Sequence, residues 1–270
     1  MSEHARKGSI MFWEAQSLRL TLFSVLPVDG EKTNWWERLV GLPPESKVSL
    51  PRINGYEESG PVEHVGLELH VQPDRQARLK LQVQPKRMDL LLLPSPKDDL
   101  NSEVPPVIGP LPEALDQFGS LAKKWLAFPD VPQVERLAFG AILHRSVRDR
   151  KTGYKELSEY LAGYVKIDAE NSSDFSYSIN RPRPSGLGIK GLQINRLSKW
   201  SVVTWSWMRH TISRTSSNVV RDAERFSCHL ELDISTDQNF KEELDRGKLE
   251  ELYDELVAFG LEIAEKGDIP

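Results

Sequence analysis

The stretch 176–200, SYSINRPRPSGLGIKGLQINRLSKW, carries the tripeptide Ile-Asn-Arg twice, at 179–181 and at 194–196. Around each copy apolar and polar residues alternate, as on a strand with one buried face. Between the copies lies PRPSGLGIKG, where Pro and Gly punctuate the chain. The stretch reads as two adjacent antiparallel strands, 174–182 and 192–208, the second long enough to be two. Ile179 and Ile194 take the apolar face, so Asn180 and Asn195 take the polar one. GLGIKG lacks the spacing of a phosphate loop and does not run from a strand into a helix, so it is expected to be a flexible connection.

Toward the N-terminus the period of two recurs. Residues 17–27 set Leu18, Leu20 and Leu22 on one face with Arg19 and Thr21 between them. Residues 62–73 alternate Val65, Leu67, Leu69 and Val71 with Glu68, His70 and Gln72. Residues 77–85 alternate Leu79, Leu81 and Val83 with Lys80, Gln82 and Gln84, which makes a hairpin with the preceding run. A third strand follows at 88–93. The Pro-rich stretches 41–61 and 94–112 read as loops. Toward the C-terminus, 134–147 and 224–236 read as strands. Helical spacing appears in a short segment after Thr33, over 111–127, over 152–164, and in a final helix with Leu249, Leu252, Leu256, Phe259 and Ile263 on its apolar stripe.

The fold class expected is α+β. Two similar halves, 1–130 and 131–270, each run strand, helix, antiparallel strands, long helix. They are expected to form one continuous unit, a curved antiparallel sheet with helices packed on one face, and to be an internal pseudo-repeat. Gln72 and Gln84 occupy in the first half the places of Asn180 and Asn195 in the second, making a polar set on the sheet face.

Order and length together resemble an uncharacterised, sporadically distributed family of bacterial and archaeal proteins. Its members pair strand-rich halves with a long middle helix and a C-terminal helix, and carry a YINR-like strand after the middle helix. Here that place holds AILHRSV, 141–147, and the Ile-Asn-Arg pairs come later. The resemblance covers most of the chain at the level of layout. It implies no activity; a sporadic family of this kind fits an accessory component of a bacterial defence-type or toxin-antitoxin-like system.

Charge is unevenly spread along the chain. The net value of −5 divides into −4 for residues 1–135, +8 for 136–214 and −9 for 215–270. A basic middle is an electrostatic footprint for an anionic partner unless the acidic flanks fold against it. The candidate anion-binding residues are Arg181, Arg183, Lys190, Arg196, Lys199, Arg209 and Arg214. Tyr177, Trp200, Trp205 and Trp207 lie nearby as stacking surfaces for a single-stranded nucleic acid, although Trp205 and Trp207 share a face and fit core packing better.

The lone Cys228 excludes an internal disulfide and a multi-cysteine zinc site. A metal site from His70, His229 and Glu231 is conceivable on one sheet face, but no histidine pair has the spacing of a zinc protease helix. The serines sit on no nucleophile elbow. The longest aliphatic run, 90–93, is too short to span a bilayer, and the N-terminus carries no signal-peptide core. The expected protein is cytoplasmic, without cofactor or metal, and more a binder than an enzyme. It engages nucleic acid through the basic hairpin or, in the rival reading, another protein subunit.

Overall fold

The computed structural model describes residues 13–49, 62–73, 75–95, 105–206, 208–212, 217–221 and 224–270, with backbone alone between 208 and 221. The chain runs β1 (Glu14–Ser24), α1 (Trp35–Val40), β2 (Ser46–Ser49), β3 (Val62–Gln72), β4 (Arg75–Gln84), β5 (Arg87–Pro94), β6 (Gly109–Pro110) and α2 (Leu111–Leu126). It continues with β7 (Val134–Val147), α3 (Arg150–Tyr160), β8 (Ser176–Asn180), β9 (Arg183–Pro184), β10 (Gln193–Trp205), β11 (Met208–Ile212), β12 (Ser217–Arg221), β13 (Arg225–Thr236) and α4 (Leu249–Lys266).

One open, curved antiparallel sheet has the order β2-β3-β4-β5-β1-β7-β13-β10-β8. The short β6 pairs with β1 and β9 with β10, while β11 and β12 make a separate two-stranded ribbon. Residues 1–130 and 131–270 meet where β1 pairs with β7, from Glu14 opposite His144 to Ser24 opposite Val134. On either side of that seam the chain folds back: β5 flanks β1, and β13 flanks β7.

Alternation explains which face is covered. Leu18, Leu20 and Leu22 of β1, Leu137, Phe139 and Leu143 of β7, and Leu230 and Ile234 of β13 are all buried. They join side chains of α2, α3 and α4 in one core. Two helix glycines let α3 and α4 come close to the sheet. A Cβ on Gly260 of α4 would stand 3.0 Å from the Phe139 ring, and one on Gly153 of α3 would stand 2.9 Å from Val202. α1 inserts Trp35 and Trp36 at the other end, where Trp35 meets Trp125 of α2 edge to face at 6.0 Å. Among the described residues, α1 to α4 all pack into this core and none lies on the opposite face of the sheet.

Several expectations need correction. In β3, Val62 and His64 turn inward and Val65 faces outward opposite Lys80, while further along Leu69 and Val71 do lie on the core side. The cause is a bulge: Leu67 has a left-handed φ of 51°, and the register shifts between Gly66 and Glu68. An extra residue in one strand inverts the alternation on either side of it. His64 is buried beside the Trp36 ring, and burial lowers its pKa. The Pro-rich stretch 41–61 contains the exposed edge strand β2. The run 192–208 is one long strand, β10, that ends at Trp205, with β11 beginning at Met208. Trp205 does not join the core under the helices; it lies on the open face, 5.3 Å from the His144 ring. Trp207 lies outside the described residues.

Candidate functional site

The two Ile-Asn-Arg copies do fall on adjacent strands, with Ser176–Asn180 of β8 opposite Leu197–Ser201 of β10. The amides answer each other: Asn180 Nδ2 donates to Asn195 Oδ1 at 2.9 Å, and Asn180 Oδ1 accepts from the Arg196 backbone N–H at 2.8 Å. The doubled motif is thus a cross-strand clasp that sets register. Gln72 and Gln84 do not join it, because four strands separate β4 from β10. His70 and His229 are likewise held apart, on β3 and β13.

The arginines of the motif point to the helix side and are occupied there. Arg181 makes a two-pronged ion pair with Asp268, whose side chain is 1% exposed, and its second prong measures 2.9 Å. Those bonds hold the Asp268 carboxyl below its ordinary range, and Tyr177 adds a hydrogen bond at 2.7 Å. Arg183 pairs with Glu262 at 2.7 Å and donates to the Pro270 carbonyl. Arg196 has a fully buried side chain, 3.1 Å from the same Glu262 oxygen. Its guanidinium stands 5.3 Å from the Phe259 ring, and its Nε and Nη1 have no partner. Burial lowers its pKa, with the neighbouring Arg183 charge adding to the effect. Arg196 is therefore not a surface anion receptor, and Arg181 and Arg183 are clamps on the C-terminal segment.

The glycine-rich connection is fastened too, contrary to a flexible tip. Glu255 of α4 accepts from Ser185 Oγ at 2.7 Å and from the Gly186 N–H at 2.6 Å. Lys199 faces the open side and pairs with Glu231 at 3.0 Å. Lys190 is exposed and has no partner among the described residues. Arg209 falls on a stretch described by backbone alone, and Arg214 lies outside the described residues.

A different site emerges on the uncovered face. One register row runs Leu91, Arg19, Gly140, Asp233, Leu197 across β5, β1, β7, β13 and β10. Gly140 leaves a bare floor in the middle of the sheet, and the Arg19 side chain lies down across it. Its Nη2 and Nε sit 3.1 and 3.2 Å from where a Gly140 Cβ would stand. Arg19 Nε and Asp233 Oδ1 are both buried and have no partner among the described residues, and the two residues make no ion pair with each other. The groove around them has a volume of about 420 Å3 and is rimmed by Leu91, Ile142 and Leu197. Arg19 belongs to no recognised motif. Its signals were a charge on a central strand and an isolated glycine inside the run LAFGAIL, a pattern that marks close backbone approach.

Further along this face lies a polar cluster. His144 Nε2 is 2.7 Å from Gln16 Oε1, which makes it the donor and leaves Nδ1 to accept from Ser227 Oγ at 3.3 Å. Trp205 Nε1 donates to the same Ser227 oxygen at 2.9 Å. A serine on a histidine invites comparison with a catalytic dyad, but Ser227 is only 1% exposed and lies mid-strand under Trp205. His144 is pushed down to about 4, by burial first and then by His229, so it is a poor base at neutral pH. Burial pushes the Cys228 thiol up to about 12, which makes it inert. Among the described residues no group of His, Cys, Asp or Glu is arranged to hold a metal ion, and no helix is long and apolar enough to cross a membrane.

No protein family, curated protein or solved structure matches this chain.

Proposed function

We propose that this is a non-enzymatic binding protein that receives an anionic group of its partner on Arg19, in the groove of the open sheet face. The observation that carries the reading is the state of that guanidinium, held over Gly140 with a buried Nε that no described residue satisfies. A guanidinium matches planar oxyanions in two-pronged geometry. A buried donor left unmade costs about 1–3 kcal/mol, which a bound oxyanion would recover. The test is a thermal-shift series with acetate, phosphate and sulfate at constant ionic strength, on the wild type and on Arg19→Gln. Stabilisation by one of these anions that disappears in Arg19→Gln supports the reading. Equal shifts in both proteins would sink it, as would no shift with these anions and with zwitterionic probes alike.

Nucleic-acid binding through the hairpin is the second reading, favoured by the +8 balance of residues 136–214 and by exposed Lys190. It has less support, since Arg181, Arg183 and Arg196 are already neutralised by Asp268 and Glu262. Fluorescence anisotropy with single- and double-stranded DNA and RNA across a salt series separates the two. Tight binding with a steep salt slope that Arg19→Gln leaves unchanged would move the function to nucleic acid.

A further inference from the structure

Resting on the Arg19 reading, we propose that the ligand of the groove is a small zwitterion of the α-amino-acid type, with its carboxylate on Arg19 and its ammonium on Asp233. The two side chains stand on β1 and β13, on either side of β7, so their Cα atoms are about 10 Å apart by two inter-strand spacings. Arg19 spans much of that distance by lying over Gly140. The two unlike charges nevertheless do not meet, and each keeps a buried, unpartnered polar atom, Nε on one side and Oδ1 on the other. A gap between opposite charges that both lack a partner is complementary to a molecule carrying both opposite charges close together.

The surrounding charges sharpen the choice. Lys199 and Glu231, the other charged residues lining the groove, pair with each other at 3.0 Å and add no net charge. A simple anion on Arg19 would therefore share the groove with the Asp233 carboxylate, and a simple cation on Asp233 would share it with Arg19. Only a ligand with both signs avoids a like-charge contact. The volume of about 420 Å3 lies within the span of small-molecule sites. Leu91 beyond Arg19, Leu197 beyond Asp233 and Ile142 along the wall offer apolar contact to a hydrocarbon side chain.

The experiment is titration calorimetry of the wild type, Arg19→Gln, Arg19→Lys and Asp233→Asn, with folding of each checked by circular dichroism. The probes are the common amino acids, then L-leucine against 4-methylpentanoate, which lacks the ammonium, and 3-methylbutylamine, which lacks the carboxylate. The expected result is that at least one amino acid binds and that removing either of its charges weakens binding tenfold or more. Arg19→Gln and Asp233→Asn each produce a loss of the same size, and Arg19→Lys keeps part of the affinity. If 4-methylpentanoate binds as well as L-leucine and Asp233→Asn changes nothing, this inference is overturned while the anion-receptor reading stands. If no amino acid binds the wild type at millimolar concentration, the inference is overturned; if acetate, phosphate and sulfate also fail, the Arg19 reading goes with it.

Discussion

His144 shows how a single residue ties the open face to pH. It is 3% exposed, its ring centroid lies 4.8 Å from that of His229, and both of its nitrogens are engaged in the neutral form. Burial and the neighbouring histidine push its pKa from 6.5 to about 4. His229 moves the same way through burial, with Glu231 opposing and Lys199 assisting. In the unfolded chain His144 takes up its proton near 6.5, while the folded protein resists it. The stabilisation is complete above about pH 6.5 and is lost as pH falls toward about 4. The shift corresponds to roughly 3 kcal/mol between those limits. Urea unfolding at pH 7.5 and pH 5 should show a falling midpoint in the wild type and a much flatter dependence in His144→Gln. An unchanged slope in the variant would assign the pH dependence elsewhere. The carboxylates act lower on the scale: Asp149, capping α3 through the Thr152 N–H, is held at about 2.

At the scale of elements, the β8–β10 hairpin and α4 form a charge-locked unit. Two guanidinium groups, Arg183 and Arg196, converge on one Glu262 oxygen. Removing the carboxylate and removing a cation should then differ in cost. Glu262→Ala leaves the fully buried Arg196 charge uncompensated beside Arg183, and should destabilise by about 3–5 kcal/mol. Arg196→Met keeps the stem, removes two unsatisfied donors and relieves the like-charge pair, so it should cost under about 1 kcal/mol. Denaturant curves on the two variants check this, and equal losses would refute the asymmetry. The end of α4 is just as constrained. Gly267 has a φ of 82°, and a Cβ there would stand 2.0 Å from the Tyr160 carbonyl oxygen. Gly267→Ala should therefore detach the Asp268–Arg181 pair and destabilise the protein, read as a lower melting temperature, by more than the usual cost of a left-handed residue, roughly 1–2 kcal/mol. Because of these contacts, replacing Arg181, Arg183 and Arg196 together with Ala would test stability more than ligand binding.

On the scale of the whole molecule, the seam between β1 and β7 turns two stretches of chain into one sheet. Leu18, Leu20 and Leu22 on one side and Leu137, Phe139 and Leu143 on the other bury the centre of the core along it. Residues 131–270 expressed alone should expose the β7 edge and fail to give a monomeric, cooperatively unfolding species by size-exclusion and thermal melting. The acidic C-terminal helix also lies against the basic hairpin, so the sequence's charge blocks neutralise each other in space. That is why Arg181, Arg183 and Arg196 are turned to α4 and the residues after it and not to an open basic surface.

The sequence by itself determined what depends on successive residues: period-two strands, 3.6-residue helical stripes, Pro and Gly breaks, and the adjacency of the two Ile-Asn-Arg strands across a short connection. Those features are local, and one buried face per element is enough to impose them. The bulge at Leu67 escaped this reading because apolar residues on both sides of it mimic unbroken alternation. Only the tertiary structure decided which strands become neighbours. The row that joins Arg19, Gly140 and Asp233 draws on three strands far apart in the chain, and the partners of Arg181, Arg183 and Arg196 come from α4 and the residues after it. A side chain's charge can be read from its letter; whether that charge is satisfied depends on what the fold brings within hydrogen-bond reach.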